Sequence, residues 1–285
     1  MLISQLCKES DFDAEWFDTG SSLLYQTFQA YIRHYIEVNL HHLNAEALLP
    51  ILYHRKFWEF CYIYQALSER GLLIPGSRGL GFGVGKEPLV SLFASRGCAI
   101  EATDLDLDSA QKAGWANSDQ HAAGIDCLNE YGLCDPAAFS RLVAYENVDM
   151  NQIPDRYANQ FDFTWSSCAF EHCGSIELGK KFLIDQMECL RSGGIAVHTT
   201  EYNLSSNEDT MEQGALVLFR KKDIEDMAQT LRDLGHEIEI DLESGTELKN
   251  TCVDLPPYTF KPHLRLQLLN WVSTSIGLII KKTGA

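Results

Sequence analysis

The sequence has no pair of cysteines at CxxC spacing, no internal repeat, little positive charge, and no apolar run near the roughly 18 residues that a membrane-spanning helix needs. Its nine cysteines, at 7, 61, 98, 127, 134, 168, 173, 189 and 252, are odd in number and scattered. That pattern disfavours a zinc ribbon or a disulfide framework and fits reduced thiols in a cytoplasmic protein. The most apolar stretch near the C-terminus, VSTSIGLII, is too short to cross a bilayer. The opening residues MLISQLCKESDFDAEWF lack a charged region followed by a long apolar one, so neither membrane insertion nor a secretory signal is expected. Basic residues number 23 against 40 acidic ones, a net charge of −17. A chain without a basic stripe gains little from counterion release, so nucleic acid is not an expected partner.

What is present is core-forming material: 45% of the 285 residues are hydrophobic and 11% aromatic, enough for a globular chain. From Ser21 to Leu73 apolar and aromatic residues recur at three- and four-residue steps, which predicts helix, with Pro50 interrupting and Gly71, Pro75 and Gly76 closing it. From Arg78 short apolar runs alternate with helical patterns, the mark of an open α/β sheet. A boundary near residue 76 therefore separates a helical N-terminal extension, 1–76, serving as lid or substrate wall, from an α/β domain, 77–285. Strands are expected at RGLGFG, AIEATDLD, LVAYENVDM, FDFTWSSC, GGIAVHTTEY, HEIEIDL and VSTSIGLIIKK. Helices are expected at KEPLVSLFASRG, SAQKAGWANS, SIELGKKFLIDQMECLRSG and KKDIEDMAQTLRDLG. The stretch LPPYTFKPHLRLQLLNW offers no ordinary crossover helix, so the last two strands are expected to pair antiparallel.

The sharpest motif is GLGFGVGKEPL, in which Gly81, Gly83 and Gly85 follow a strand and open a helix. Glycines serve where the backbone turns tightly and a cofactor must touch the main chain, and the helix start adds free N–H groups. A dinucleotide fingerprint, G-x-G-x-x-G, would place its third glycine at Lys86, one residue later than the observed Gly85. Nineteen residues on, Asp104 ends the second strand, where a carboxylate accepts hydrogen bonds from ribose hydroxyls. Asp149 ends the third strand, followed by Met150, placed to cover a base ring.

With GFGVG, ATDLD, VDMNQIP, FDFTWSSCAFEH and LRSGGIAVHTTEY in this order, residues 77 to 285 resemble the class I S-adenosylmethionine-dependent methyltransferases. HRKFWEF, GLGFGVGKEPL and VSTSIGLII are more narrowly similar to bacterial methyltransferases associated with glycan assembly. The resemblance implies a Rossmann-like fold with a mostly parallel seven-stranded sheet and an antiparallel C-terminal strand. It also implies S-adenosyl-L-methionine as cofactor, with the three glycines along its methionine and ribose portion, Asp104 on the ribose, Asp149 at the adenine amino group, Met150 beside the ring, and Trp165 or Ser166 near the methyl. The acid that usually stands two positions before the first glycine is here Gly79, so the amino-acid end falls to other groups, with Glu87, Glu59 or Arg55 as candidates.

Methyl transfer to a hydroxyl needs an aligned nucleophile and a proton acceptor. His172, in AFEHCGS, and His198, in VHTTEYN, are candidate bases, and Glu171 is a third candidate catalytic residue. Glu171 with His172, and His198 with Glu201 at HxxE spacing, are also candidates to hold a divalent metal. Some methyltransferase relatives bind metal through ExxEH, and here Cys168 replaces the first Glu. The other reading is a helix-capping Glu171 and an independent His172. The cluster Tyr53, His54, Arg55, Lys56, Trp58 and Glu59 reads either as a substrate wall or as a helix docked on the sheet. Tyr202, Asn203, Arg220, Tyr258 and His263 are further pocket candidates, and Cys168 and Cys173 read as packing residues. The expectation is methyl transfer, on oxygen, to a small-molecule or glycan-linked acceptor; the alternatives are an NAD-dependent sugar oxidoreductase or epimerase and a non-catalytic adenosyl-binding module.

Overall fold

The computed structural model describes residues 1–41, 43–113 and 120–284. Among the described residues eleven strands form one sheet: β1 (Ser4–Leu6), β2 (Arg78–Phe82), β3 (Ala99–Asp104), β4 (Val143–Asn147), β5 (Phe161–Ser167), β6 (Leu190–Asn203), β7 (Glu237–Ile238), β8 (Ile240–Asp241), β9 (Val253–Asp254), β10 (Arg265–Leu268) and β11 (Trp271–Lys281). The main path runs β4-β3-β2-β5-β6-β11-β1-β8. From β4 to β6 all neighbours are parallel, and β11 lies antiparallel to β6 over nine positions, Ser273↔Asn203 through Lys281↔Ile195. With β7 on the other side of β11, these seven strands are the expected Rossmann-like sheet. Three short strands that the sequence does not announce, β1, β9 and β10, extend it, and the expected HEIEIDL strand breaks into β7 and β8, the latter pairing with β1.

Helices are α1 (Glu15–Asn39), α2 (Ala45–Leu48), α3 (Arg55–Ser68), α4 (Leu89–Ser95), α5 (Leu107–Ala113), α6 (Pro136–Leu142), α7 (Ile176–Asp185), α8 (Lys221–Asp233) and α9 (Leu248–Thr251). The helix expected over SAQKAGWANS is seen in its first half as α5; residues 114–118 lie outside the described residues. One face of the sheet packs against α1, α3 and α4, the other against α7 and α8.

The N-terminal helices form for an ordinary reason. In α1 the buried residues Phe17, Gly20, Leu24, Thr27, Phe28, Ile32 and Ile36 recur every three or four positions and make one stripe. Helix α3 is buried nearly all round, because it lies between α1 and the sheet. Two glycines permit this closeness: a Cβ on Gly20 would sit 3.1 Å from Cys61 Cβ, and one on Gly277 would fall 2.1 Å from the Tyr62 ring. Trp58 Nε1 donates to Asp11 Oδ2 at 2.7 Å and the Tyr62 hydroxyl to the Ile3 carbonyl at 2.8 Å, so the polar atoms of these buried rings are satisfied. Pinned in this way, α3 directs its first turn, Arg55 and Lys56, toward the ends of β5, β6 and β11.

Candidate functional site

A pocket of about 840 Å³, counted to its open mouth, lies at the C-terminal ends of β2 to β5. This is where ligands of open α/β sheets bind, and the size suits a cofactor. Gly83 and Gly85 line it with φ of +55° and +51°, the left-handed region where a side chain is strained. A Cβ on Gly83 would lie 2.9 Å from Ala169 Cβ, and one on Gly85 2.7 Å from the Gln120 carbonyl oxygen. Gly81 serves differently, from beneath the pocket, where its missing side chain makes room for Trp165, whose ring would be 2.5 Å from a Cβ.

Asp104, at the end of β3, faces the pocket with its carboxylate fixed by three main-chain N–H donors, from Gly85 and Ala122 to Oδ2 at 3.1 Å each and from Leu105 to Oδ1 at 2.8 Å. A carboxylate has about four lone-pair sites, so one is left for a ligand hydroxyl. Burial raises its pKa against those donors. Asp149 and Met150 line the same pocket after β4, and Asp149 Oδ1 accepts from Asn151 N at 2.8 Å. Thus Gly83, Gly85, Asp104, Asp149 and Met150, widely spaced in sequence, share one cavity.

The expected end of β5 is out of phase by one residue. Ser166 is fully buried on the face toward α7, with its Oγ 2.8 Å from His198 Nδ1, and Trp165 packs beneath Gly81. Ser167 lines the pocket instead. Strand side chains alternate between faces, so a one-residue change exchanges pocket for core. His198 is corrected for the same reason: it is buried between Phe170 and Phe182, and burial holds its pKa down at about 3. It is a neutral core imidazole with no access to the pocket. HxxE spacing on a strand sends residues 198 and 201 to opposite faces, so the pair cannot converge on one ion.

Of the three candidate catalytic residues, His172 alone lines the pocket. Burial holds its pKa down at about 4, so the ring is neutral; Nδ1 is 2.6 Å from the Ala215 carbonyl, to which it donates, leaving Nε2 as the acceptor nitrogen. Glu171 is fully buried and accepts from Thr200 Oγ1 at 2.9 Å. Burial and the neighbouring Glu201 push its pKa up to about 8, and its Oε1 has no hydrogen-bond partner.

Donor atoms of Cys168, Glu171 and Glu201 do lie within 4.8 Å of one another. That place is already served by a cation. The Arg55 guanidinium is ion-paired with Glu201, lies 3.3 Å from Glu59 Oε1 and 3.8 Å from Cys168 Sγ, and donates to Ser275 Oγ at 3.1 Å. Burial keeps the proton on the Cys168 thiol as well as on Glu171. A divalent ion would have to displace Arg55 and strip two protons, so the residues present do not fit a metal, and no chemical step is assigned to one.

The cluster from Tyr53 to Glu59 divides between both readings. Phe57 and Trp58 are docking residues, fully buried. Lys56 lines the pocket, its Nζ 3.0 Å from Glu59 Oε2 and 3.2 Å from Glu87 Oε1. Burial would raise the Glu59 carboxyl, but Lys56 and Arg55 outweigh it and hold it down at about 2. Glu87, also on the pocket wall, is pushed by burial up to about 7. None of Tyr202, Asn203, Arg220, Tyr258 and His263 lines the pocket. Arg220 holds the start of α8 through Asp223, and His263 is tied to Asp254 at 2.6 Å. Tyr31, His121 and Asn151 line the pocket without having been expected. Asn151 stands beside Met150 in the motif, whereas nothing local marks Tyr31, which arrives on α1.

No family model matches the chain, and no curated protein does. Among solved structures the chain is similar to the (4+2)-cyclase SpnF, at 17% identity over 80% of this chain and 83% of that one, with a TM-score of 0.51. It is also similar to an S-adenosylmethionine-dependent methyltransferase from Mesorhizobium loti, at 13% identity over 77% and 97% with a TM-score of 0.46. A third is phosphoethanolamine N-methyltransferase 2 of Haemonchus contortus, solved with S-adenosyl-L-methionine, at 15% identity over 78% and 52% with a TM-score of 0.47. At these identities the likeness is one of fold alone: the chain has a Rossmann-like α/β fold, with an antiparallel last strand.

Proposed function

We propose that the chain is an S-adenosylmethionine-dependent methyltransferase acting, on oxygen, on a small-molecule or glycan-linked acceptor, with residues 1–76 as one wall of its site. The observation that carries this reading is the convergence of Gly83, Gly85, Asp104, Asp149 and Met150 on one pocket at the sheet's C-terminal edge. In this reading Asp104 binds the ribose, Asp149 and Met150 take the adenine, and the two left-handed glycines let main chain approach the cofactor. Bound there, the cofactor supplies an electrophilic methyl on a sulfonium. The chain supplies alignment, exclusion of water, and His172 Nε2 as the proton acceptor for the attacking hydroxyl. A neutral imidazole of low basicity works best on a hydroxyl that is itself acidic, because proton transfer follows the difference in pKa.

The β6–β11 antiparallel pair and the third glycine at 85 weigh against the NAD-dependent reading. A non-catalytic adenosyl-binding module draws support from one observation, the exclusion of Glu171 and His198 from the pocket. Calorimetric titration with S-adenosylmethionine, S-adenosylhomocysteine and NAD, before and after Asp104→Ala, tests the cofactor. Binding of NAD without either adenosyl compound overturns the proposal. Radiolabelled methyl transfer to glycan and lipid-linked extracts then separates enzyme from binding module.

A further inference from the structure

We infer that the Lys56–Glu87 ion pair is the receptor for the amino-acid end of the cofactor, Lys56 taking the α-carboxylate and Glu87 the α-ammonium. This rests on the cofactor reading above and assigns the part of the ligand that the glycine motif leaves without a partner.

The usual acid is not merely absent at Gly79; it has no room there. A Cβ at that position would fall 2.3 Å from Phe163 Cζ and 3.0 Å from Ile100 Cδ1, both in the packed interior. The charge must come from elsewhere on the pocket wall. Of the three candidates from sequence, Arg55 and Glu59 do not reach the wall: the Arg55 guanidinium is committed to Glu201 and Ser275, and Glu59 accepts from Ser167 Oγ at 3.1 Å, Thr199 Oγ1 at 3.3 Å and Ser275 Oγ at 2.5 Å. Glu87 does reach it, and so does Lys56. They stand 3.2 Å apart, where the end of β5 meets the glycine loop. An α-amino acid presents a positive and a negative group on one carbon, and a lysine beside a glutamate is the matching pair in reverse.

The charge count agrees. Arg55 and Lys56 face the carboxylates of Glu59, Glu201 and Glu87, two positive charges against three negative. That leaves one negative charge, and a sulfonium, an ammonium and a carboxylate sum to one positive. Without the ligand, Glu87 escapes this imbalance by holding its proton part of the time, consistent with its position near neutrality. Lys56 is anchored by Glu59 and by Ser167 Oγ at 3.3 Å, so it can turn one N–H outward without losing its place.

The test uses two probes, S-adenosylhomocysteine and 5′-methylthioadenosine, which lacks the amino-acid end, titrated calorimetrically into the full chain and its variants. Hydrogen bonds to charged groups are worth about 10- to 100-fold each. Lys56→Met and Glu87→Gln are each expected to weaken S-adenosylhomocysteine by about that factor and to leave methylthioadenosine unchanged. Lys86→Met, altering the other lysine of the wall, is the rival arm, and no loss selective for S-adenosylhomocysteine is expected from it. Unchanged affinity for S-adenosylhomocysteine in Glu87→Gln, equal losses for both probes in folded Lys56→Met or Glu87→Gln, or a selective loss in Lys86→Met alone overturns the inference. If Lys56→Met does not fold, the near-isosteric Glu87→Gln decides. Failure of both probes to bind the unaltered chain is a different result, which overturns the cofactor reading itself.

Discussion

Glu171 should make the stability of this protein fall with rising pH, and Glu171→Gln should remove that dependence. The carboxyl is fully buried, and burial with the nearby Glu201 carries its pKa to about 8 from an ordinary value of 4.5. The sign follows from proton counting. Between pH 5 and 8 the folded state keeps the proton and the unfolded state has lost it, so stability is complete below about 4.5 and declines as pH rises toward 8. One proton costs about 1.4 kcal/mol per pH unit, which over some three units gives on the order of 4 kcal/mol. Glutamine mimics the protonated acid: its carbonyl can accept from Thr200 Oγ1, at the cost of placing an amide N–H₂ beside the position that now lacks a partner, about 1 kcal/mol. Denaturant unfolding of both proteins at intervals from pH 5 to 9 measures this. Asp11 and Glu87 are also raised and contribute a slope of their own, but the difference between the two proteins isolates Glu171. The variant is expected to be slightly less stable at pH 5 and more stable by several kcal/mol at pH 8.5. Parallel curves would refute a protonated Glu171, and with it the case that this cluster lacks the charge to hold a metal.

Four further outcomes are expected. Exhaustive chelation should leave cofactor affinity and turnover unchanged, because Arg55 already supplies the positive charge among Cys168, Glu171 and Glu201; loss of turnover restored by one divalent ion would contradict this. His172→Gln should lower kcat by roughly 10²-fold or more while calorimetric affinity for S-adenosylhomocysteine persists, the signature of a proton acceptor rather than a binding group. Gly79→Ala should cost about 1–3 kcal/mol in denaturant unfolding, because the new methyl meets the Phe163 ring; a neutral effect would show that the strand yields there. His198→Phe, by contrast, should keep cofactor affinity, since this ring is part of the core among Phe170 and Phe182.

Much of the fold is legible in the sequence because a parallel sheet writes itself as repeated apolar runs, and because glycines at 83 and 85 mark a loop whose left-handed backbone strains other residues. The motif acids Asp104 and Asp149 follow, since both sit where strands end. Phase is harder to read. In FDFTWSSC nothing local says whether Ser166 or Ser167 faces the ligand, and the answer comes from Trp165 fitting under Gly81. His198 carries a suggestive identity, but its surroundings, Phe170 and Phe182, come from elsewhere in the chain. Helix α6 is not among the expected helices although its signals are present: Asp135 caps it by accepting from Ala138 N at 2.9 Å, and Pro136 opens it. Strand β1 is too short to show any period, and Lys56 becomes a pocket residue only through the docking of α3.

Strand β1 bears on the exposure of a sheet edge. Gln5 and Leu6 pair with Gly277 and Ile276, and Ser4 Oγ accepts from Ile279 N at 2.9 Å, so three residues near the start cover the stretch of β11 between its partners β10 and β7. Beneath that cover lies IGLII, an uncharged, β-branched segment of the kind that recruits strands from other molecules when its edge is open. Removing residues 1–7 would delete no residue of the pocket lining yet uncover this edge, and the expected consequence is self-association visible by light scattering before any loss of helix content.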